Sequence, residues 1–236
     1  MHSHNCTLKQ LYVRRFIEGE ADGSRAAHAH RSFIRADRDS LPALASRVAR
    51  SLLRGAAYPL RQGHLAQAAL APPRAFEHVK AARGLPHQLV LAGPDWSGAE
   101  AVRLAARESA CAADIVFTGF VRSEDLADPY RGADLLVFPS LYEGFGMPLL
   151  EAMACGTPVV CSATSSLPEV AGDAALLFDP ADEAAIAEAI RRVAEGPDVA
   201  RELSARGLAR AGCFSWERAA VDTLAVLRRA AAEGRQ

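Results

Sequence analysis

The sequence of 236 residues lacks the marks of several protein classes. Its five cysteines are an odd number and none stands in C-x-x-C spacing, which argues against a disulfide framework or a zinc site and fits a reducing cytoplasm. No apolar run approaches about 18 residues and the first residues lack a signal-peptide core, so no membrane span is expected. No G-x-G-x-x-G follows a predicted strand, which counts strongly against a Rossmann-like oxidoreductase domain.

Net charge is almost absent, at −1, but it is unevenly distributed. Residues 1–70 carry 11 Lys+Arg against 5 Asp+Glu, whereas residues 71–236 carry 16 against 23. Residues 41–54 combine helical apolar spacing with an arginine face, which permits peripheral contact with an anionic membrane. A helix packed on its own domain satisfies the same pattern. We expect no nucleic-acid partner.

Regular alternation of strand and helix patterns begins near residue 73. Apolar runs predict strands at 87–92, 115–117, 135–138, 159–161 and 176–178. Helical patterns lie at 74–83, 99–109, 123–131 (with Ser123 as N-cap), 148–155, 183–195, 199–211 and 216–232. Short buried strands alternating with helices predict an α/β fold with a doubly wound parallel, Rossmann-like sheet over residues 73–236. Residues 1–72 are expected to be an irregular or incomplete N-terminal region.

The segment most informative about function is FPSLYEGFGMPLLEAMACGTPVV, residues 138–160. It lies where a strand passes into a helix, at the sheet edge where ligands bind in such folds. Gly144 and Gly146 permit close backbone approach, and the helix N-terminus favours anions. Glu143 in the loop and Glu151 in the helix are acceptors for ribose or sugar hydroxyls. From the residues alone this is an anion or nucleotide site, although two glutamates near a helix start also occur as caps.

The segment EGFGMPLLEAMACGTPVV closely resembles the signature of the retaining glycosyltransferases of family 4, which have the GT-B fold of two Rossmann-like domains. The family frame is similar to EGFGxPxxEAxAxGxPV, with two acids separated by seven residues. Both acids match at Glu143 and Glu151, as do the frame residues Gly144, Phe145, Gly146, Pro148, Ala152, Gly156 and Pro158. The resemblance covers residues 74–236 and is closest to mannosyltransferase-like members.

The resemblance implies that residues 73–236 bind a nucleoside-diphosphate sugar and transfer its sugar to an acceptor hydroxyl with retention. Glu143 would face the donor sugar as the catalytic residue, and Glu151 would bind the ribose. Backbone N–H groups of Gly144, Phe145 and Gly146 would contact sugar and diphosphate. The nucleobase would lie near Gly119, Phe120 and Val121, with Leu126 and Tyr130 nearby as packing residues.

No metal or other cofactor is expected, because family members usually need none. Asp37-Arg38-Asp39 is similar to the metal motif of a different glycosyltransferase fold and is interpreted as surface charge. The acceptor, a glycan or lipid-linked sugar, is not identified by the sequence. The expected location is the cytoplasm, with the inner face of the membrane as a further option.

Two departures from the family leave an alternative open. The phrase G-x-L-x-P-x-K, which supplies cations for the departing diphosphate, is not found at residues 57–73, where Arg61 is the only cation. About 70 residues also precede the match, too few for a whole Rossmann-like domain. We therefore hypothesise a truncated or frame-disrupted member. The alternatives are a non-catalytic nucleotide-sugar-binding module that needs a partner domain and, with less support, a sugar epimerase of the same fold.

Overall fold

The structure is a computed structural model that describes residues 10–15, 62–93 and 99–233. The strands are β1 (Gln10–Arg15), β2 (His87–Ala92), β3 (Ile115–Gly119), β4 (Leu135–Phe138), β5 (Val159–Ser162) and β6 (Ala175–Phe178). The helices are α1 (Gln62–Arg83), α2 (Ala99–Glu108), α3 (Ala127–Arg131), α4 (Met147–Ala154), α5 (Leu167–Ala171), α6 (Glu183–Ala194), α7 (Pro197–Ala211) and α8 (Trp216–Glu233). No helix within these ranges is long and apolar enough to cross a bilayer. The amphipathic pattern at 41–54 and the Asp37-Arg38-Asp39 motif lie outside the described residues.

The six strands form one sheet in the order β3-β2-β1-β4-β5-β6. The pairs β2–β3, β4–β5 and β5–β6 are parallel. The same order occurs in dinucleotide-binding folds, whose ligands bind beyond the carboxyl ends of the strands where the order reverses. The predicted α/β class with a parallel, Rossmann-like sheet is confirmed, and the loop after β4 lies at this reversal point.

Strand β1 is a feature that the sequence patterns did not predict. It runs antiparallel to both neighbours, with Gln10 opposite Ala92 of β2 and Leu11 opposite Val137 of β4. Val13, at its middle, is fully buried. The centre of the sheet therefore includes residues from the region interpreted as irregular, and α1 runs across residue 73. The division into domains at that position stays a prediction.

Apolar side chains fill both faces of the sheet, as in a doubly wound fold. In β4, Leu135 and Val137 belong to the core beneath α1 and α6, whereas Leu136 and Phe138 belong to the core beneath α4 and α5. This alternation is the two-residue period of a strand. Burial on both faces explains why the strand is a continuous apolar run rather than an alternating one.

Most predicted bounds agree with the structure to within two residues, but two helix starts were wrong. Helix α1 begins at Gln62 rather than 74, with Pro72 and Pro73 inside it. Burial of Ala71, Ala75, Phe76 and Val79, at helical spacing, accounts for a helix that continues through both prolines.

The other wrong start is that of α3, which begins at Ala127 rather than near Ser123. Its N-cap is Leu126, without a side-chain hydrogen bond, and residues 123–126 form a turn. Arg122 hydrogen-bonds Asp125 across that turn, so the acidic residues there serve a turn and not a helix end. Helix α5 was not predicted, because five residues are too few to show a helical period.

Candidate functional site

The loop between β4 and α4 has a backbone that depends on glycine. Gly146 is the N-cap of α4 with φ of +93°, and a Cβ there would lie 2.6 Å from Leu167 Cδ2. Pro148 occupies the first turn of α4, where its missing N–H removes no hydrogen bond. Gly156, with φ of +76°, follows the C-cap Cys155 as expected for a helix end. These positions bring the loop and the helix N-terminus to the carboxyl edge of the sheet.

Glu143 is held at both its carboxylate and its backbone. Ser140 Oγ donates to Glu143 Oε1 at 2.9 Å. Ser165 Oγ accepts from the Glu143 N–H at 2.9 Å and donates to the Glu143 carbonyl at 2.6 Å. Ser166 Oγ donates to the same carbonyl at 3.0 Å. The loop after β5 therefore ties down the loop after β4, and the half-buried acid has a defined position.

Glu151 lies one turn into α4 in a different environment. The hydroxyl of fully buried Tyr130 donates to Glu151 Oε2 at 2.7 Å. Burial raises the pKa of Glu151 above its usual value, and the hydrogen bond from Tyr130 acts in the opposite direction. Tyr130 packs in the core as expected, and its hydroxyl in addition bonds this acid, which the sequence did not predict. Leu126 does pack against the core beneath α4.

The nearby thiols are unsuited to nucleophilic chemistry. Burial raises the pKa of Cys155 to about 11 and that of Cys161 to about 12. A thiol with so high a pKa is protonated near neutral pH, and the thiolate is the reactive form. Both are free thiols.

The loop tip offers backbone donors beside an exposed aromatic ring. Over the described residues, the N–H groups of Gly144, Phe145 and Gly146 bond no protein acceptor. They precede the N-terminus of α4, an eight-residue helix whose dipole favours an anion there. The Phe145 ring packs edge-on against Phe214, with centroids 5.8 Å apart, and remains 41% exposed. The arrangement is suited to a diphosphate at the helix start.

The residues expected near the nucleobase lie at the same edge of the sheet as the loop after β4. Gly119 ends β3 with φ of +68°, and Phe120 is 71% exposed. Strands β2 and β1 lie between β3 and β4. Val121 nevertheless packs against the core beneath α4, which links this segment to the site. The nucleobase contact stays a prediction.

No group of three His, Cys, Asp or Glu side chains positioned for a metal occurs within the described ranges. The sequence patterns did not identify the groups that hold the two acids, which are Ser140, Ser165, Ser166 and the hydroxyl of Tyr130. The run SATSS at 162–166 was the available signal, since hydroxyls beside a candidate acid are natural partners for it.

Comparison with known proteins agrees with this geometry. The family described as Glycosyl transferases group 1 matches residues 73–210. The O-antigen chain mannosyltransferase B of Escherichia coli is 49% identical over 110 residues, which are 47% of this chain and 29% of that protein. The D-inositol 3-phosphate glycosyltransferase of Geodermatophilus obscurus is 43% identical over 150 residues, covering 61% of this chain and 32% of that protein.

A solved structure shows the same fold. The sucrose-phosphate synthase from Thermosynechococcus elongatus is 34% identical, with a TM-score of 0.59, over 70% of this chain and 43% of the other. The chain thus spans less than half of the length of each of these relatives. The expected half of a GT-B glycosyltransferase, with mannosyltransferases among its relatives, is confirmed. Since the family match covers more than half of the residues, the chain belongs to the glycosyl transferases group 1 family.

Proposed function

We propose that this chain binds a nucleoside-diphosphate sugar and contributes the donor half of a site that transfers the sugar to an acceptor hydroxyl with retained configuration. The observation that carries the proposal is the placement of two acids around the N-terminus of α4, each held by a hydroxyl group. Ser140 bonds Glu143 and Tyr130 bonds Glu151. Groups fixed in this way need little reorganisation when a ligand arrives.

The proposed roles follow from position. Glu151, on the flank of α4 and largely buried, accepts hydrogen bonds from the ribose hydroxyls. Glu143, in the loop before the helix, faces the donor sugar near the bond that breaks. The N–H groups of Gly144, Phe145 and Gly146 and the positive end of α4 bind the diphosphate. They stabilise the negative charge that develops on it as the sugar leaves.

Gly119, Phe120 and Val121 are proposed to contact the nucleobase. Phe120 offers an exposed ring at the carboxyl end of β3, and an aromatic face suits stacking on a base. The mannosyltransferases among the relatives support a hexose donor. No metal is proposed, since the anion is bound by backbone donors and a helix terminus.

A second candidate is a module that binds the nucleotide-sugar without catalysing transfer by itself. The observation that favours it is that the held acids Glu143 and Glu151 account for binding of the donor alone. In this case a partner domain supplies the acceptor site and the remaining catalytic groups. The donor roles of Glu143 and Glu151 are the same in both candidates.

Thermal unfolding in the presence of UDP, GDP and their sugars tests the binding. We expect at least one of these ligands to raise the unfolding midpoint, since a ligand that binds only the folded state stabilises it. Glu151→Ala should abolish the rise. Glu100→Gln, on the surface of α2 and paired with Arg107, is a matched control that should keep it. A wild-type protein that none of these ligands stabilises contradicts the proposal.

Turnover separates the two candidates. Hydrolysis of the donor sugar, or its transfer to a saccharide acceptor, is measured for wild type and Glu143→Gln. An enzyme should show turnover that falls by about 100-fold or more in the variant, while nucleotide binding persists. Ligand stabilisation without turnover in the wild type favours the binding module.

A further inference from the structure

Tyr130 is the largest side chain that the described core buries completely. A buried tyrosine hydroxyl needs a hydrogen-bond partner, because leaving it unpaired is costly. Its partner is a carboxylate on another helix, Glu151 Oε2, at 2.7 Å. A hydroxyl that donates to a charged oxygen makes a stronger bond than one that donates to a neutral group. The bond therefore fixes the orientation of Glu151 as well as satisfying Tyr130.

The other end of Tyr130 is also held. Thr157 Oγ1 donates to the Tyr130 carbonyl at 2.7 Å, and Thr157 is buried. Thr157 itself follows α4 and its N–H bonds the Ala152 carbonyl in that helix. Both ends of Tyr130 are thus connected to α4 and the residues directly after it.

The Cys155 thiol follows Glu151 by one helical turn. The charges of Glu151, Asp128 and Arg131 all act on this thiol, so helix α3 brings two charged groups to this end of α4. Helix α7 packs Gly207 against Met153 of α4, and it places Ser204 and Leu208 beside Gly156, which follows that helix. Burial raises the pKa of Glu151, and the hydrogen bond from the Tyr130 hydroxyl lowers it. Its loss would favour the protonated, neutral acid.

We propose that Tyr130 is a positioning residue that makes Glu151 selective for a ribose diol. This inference rests on the proposed function, in which Glu151 binds the donor ribose. Because the Tyr130 hydroxyl already occupies one lone pair of Oε2, the remaining lone pairs of the carboxylate face the ligand in one orientation. An acid held in this way binds a pair of neighbouring hydroxyls well and binds a deoxyribose, which lacks one of them, less well.

Binding of UDP, GDP and their 2′-deoxy counterparts is measured by calorimetry for wild type, Tyr130→Phe, Glu151→Gln and the double variant. Tyr130→Phe should weaken the binding of the better ribonucleotide by about tenfold, the size expected for a hydrogen bond to a charged group. Binding of the deoxynucleotide should fall much less, so that discrimination shrinks. In the Glu151→Gln background, Tyr130→Phe should change little, because the two residues act as a unit.

The pH profile separates loss of the hydrogen bond from loosened packing, because packing that admits water would lower the pKa of Glu151 and not raise it. Protonation removes the ability of Glu151 to accept two hydroxyls, so affinity falls as the pH drops through its pKa. Since the Tyr130 hydroxyl acts against the raised pKa, Tyr130→Phe should move this fall to higher pH. Direct titration of the Glu151 carboxyl carbon by NMR should show a shift in the same direction without any ligand.

Thr157→Val is the matched control. It removes the hydrogen bond at the other end of Tyr130 and leaves the hydroxyl in place. We expect it to lower stability but to keep the ribose discrimination and the pH midpoint of wild type. Two results for Tyr130→Phe would overturn this inference without affecting the proposed function. One is equal weakening of ribonucleotide and deoxynucleotide binding with an unchanged pH midpoint. The other is an unchanged affinity for the ribonucleotide. Absence of nucleotide binding in wild type instead overturns the proposed function and the ribose role with it.

Discussion

Glu143 and Glu151 are chemically the same, yet their surroundings give them different properties. Glu143 is in a loop and is fixed by serine hydroxyls from two loops. Glu151 is largely buried, has a raised pKa and is held by a tyrosine. In sites that use two carboxylates, differences of this kind assign different roles to the two groups.

Replacing Glu151 by Gln should weaken ligand binding and raise the free energy of unfolding. Burial raises the pKa of this acid, so the folded protein binds its proton more readily than the unfolded chain does. Its contribution to stability therefore falls as the pH rises from the unfolded pKa through the raised folded pKa. Above that window, Glu151→Gln should be more stable than wild type by roughly 0.5–2 kcal/mol, the usual gain at a functional site.

Urea denaturation of the two proteins across this pH range measures the prediction. The advantage of Glu151→Gln should disappear at acid pH, where the wild-type carboxyl is protonated in both states. A variant that is less stable than wild type at neutral pH contradicts the interpretation of Glu151 as an acid whose charged form is disfavoured by burial.

Gly146→Ala should destabilise the start of α4. Its φ is +93°, and a Cβ would lie 2.6 Å from Leu167 Cδ2 in a fully buried side chain. Backbone strain and overpacking together should cost about 1–3 kcal/mol, measured by chemical denaturation. Gly144→Ala, two residues earlier with no atom within 4 Å of its Cβ, should stay within about 0.5 kcal/mol of wild type. Equal losses in the two variants would refute this account of the loop.

At the scale of elements, the loops after β4 and β5 behave as one unit. Ser165 exchanges two hydrogen bonds with the backbone of Glu143 while its own φ is +58°. A non-glycine residue in this region is strained, and such strain occurs where surrounding contacts enforce it. The hydrogen bonds of Ser165 hold it in this conformation. The same bonds fix the acid that is proposed to face the donor sugar.

Ser165→Ala should lose both bonds and keep the strain, at a cost of about 1–2 kcal/mol. Ser165→Gly loses the same bonds but relieves about 1 kcal/mol of strain, so it should be the more stable of the two. Hydrogen exchange at the Glu143 amide, whose N–H bonds Ser165, should become faster in both variants. Ser140→Ala, which removes only the bond to the carboxylate and to the Tyr142 carbonyl, should leave that amide protected.

At the scale of the molecule, β1 joins the two parallel parts of the sheet. It pairs with β2 on one side and β4 on the other, and Val13 at its middle is fully buried. The sheet edge that carries the site is therefore continuous only through this strand. Disturbing it should affect the stability of the whole molecule rather than that of one part.

Val13→Asn removes buried apolar area and adds an unpaired polar group at the centre of the sheet. The expected loss of stability is roughly 3–5 kcal/mol, measured by urea denaturation with circular dichroism and tryptophan fluorescence. Val116→Asn is the matched control, since Val116 lies on the edge strand β3 and is 38% exposed. It should cost about 1 kcal/mol or less. A Val13 variant as stable as the control would show that β1 is not required for the fold.

The local sequence was sufficient for the elements that have a strong period. The apolar runs at 87–92 and 135–138 are the strands observed, and Pro148 and Gly156 bound α4 as expected. Their positions follow from short-range chemistry, namely burial on both faces of a strand and the hydrogen-bonding limits of helix ends. Glu143 and Glu151 were likewise identified by their place in the strand–loop–helix pattern.

Only the tertiary structure decided what holds the two acids and what completes the sheet. Tyr130 and Glu151 are 21 residues apart in the chain, and Glu143 and Ser165 are 22 apart. Strand β1 is separated from β4 by more than a hundred residues and has no period that marks it as central. These pairings depend on which strands lie side by side. That arrangement arises from burial over the whole sheet and cannot be read from the short-range pattern of any one segment.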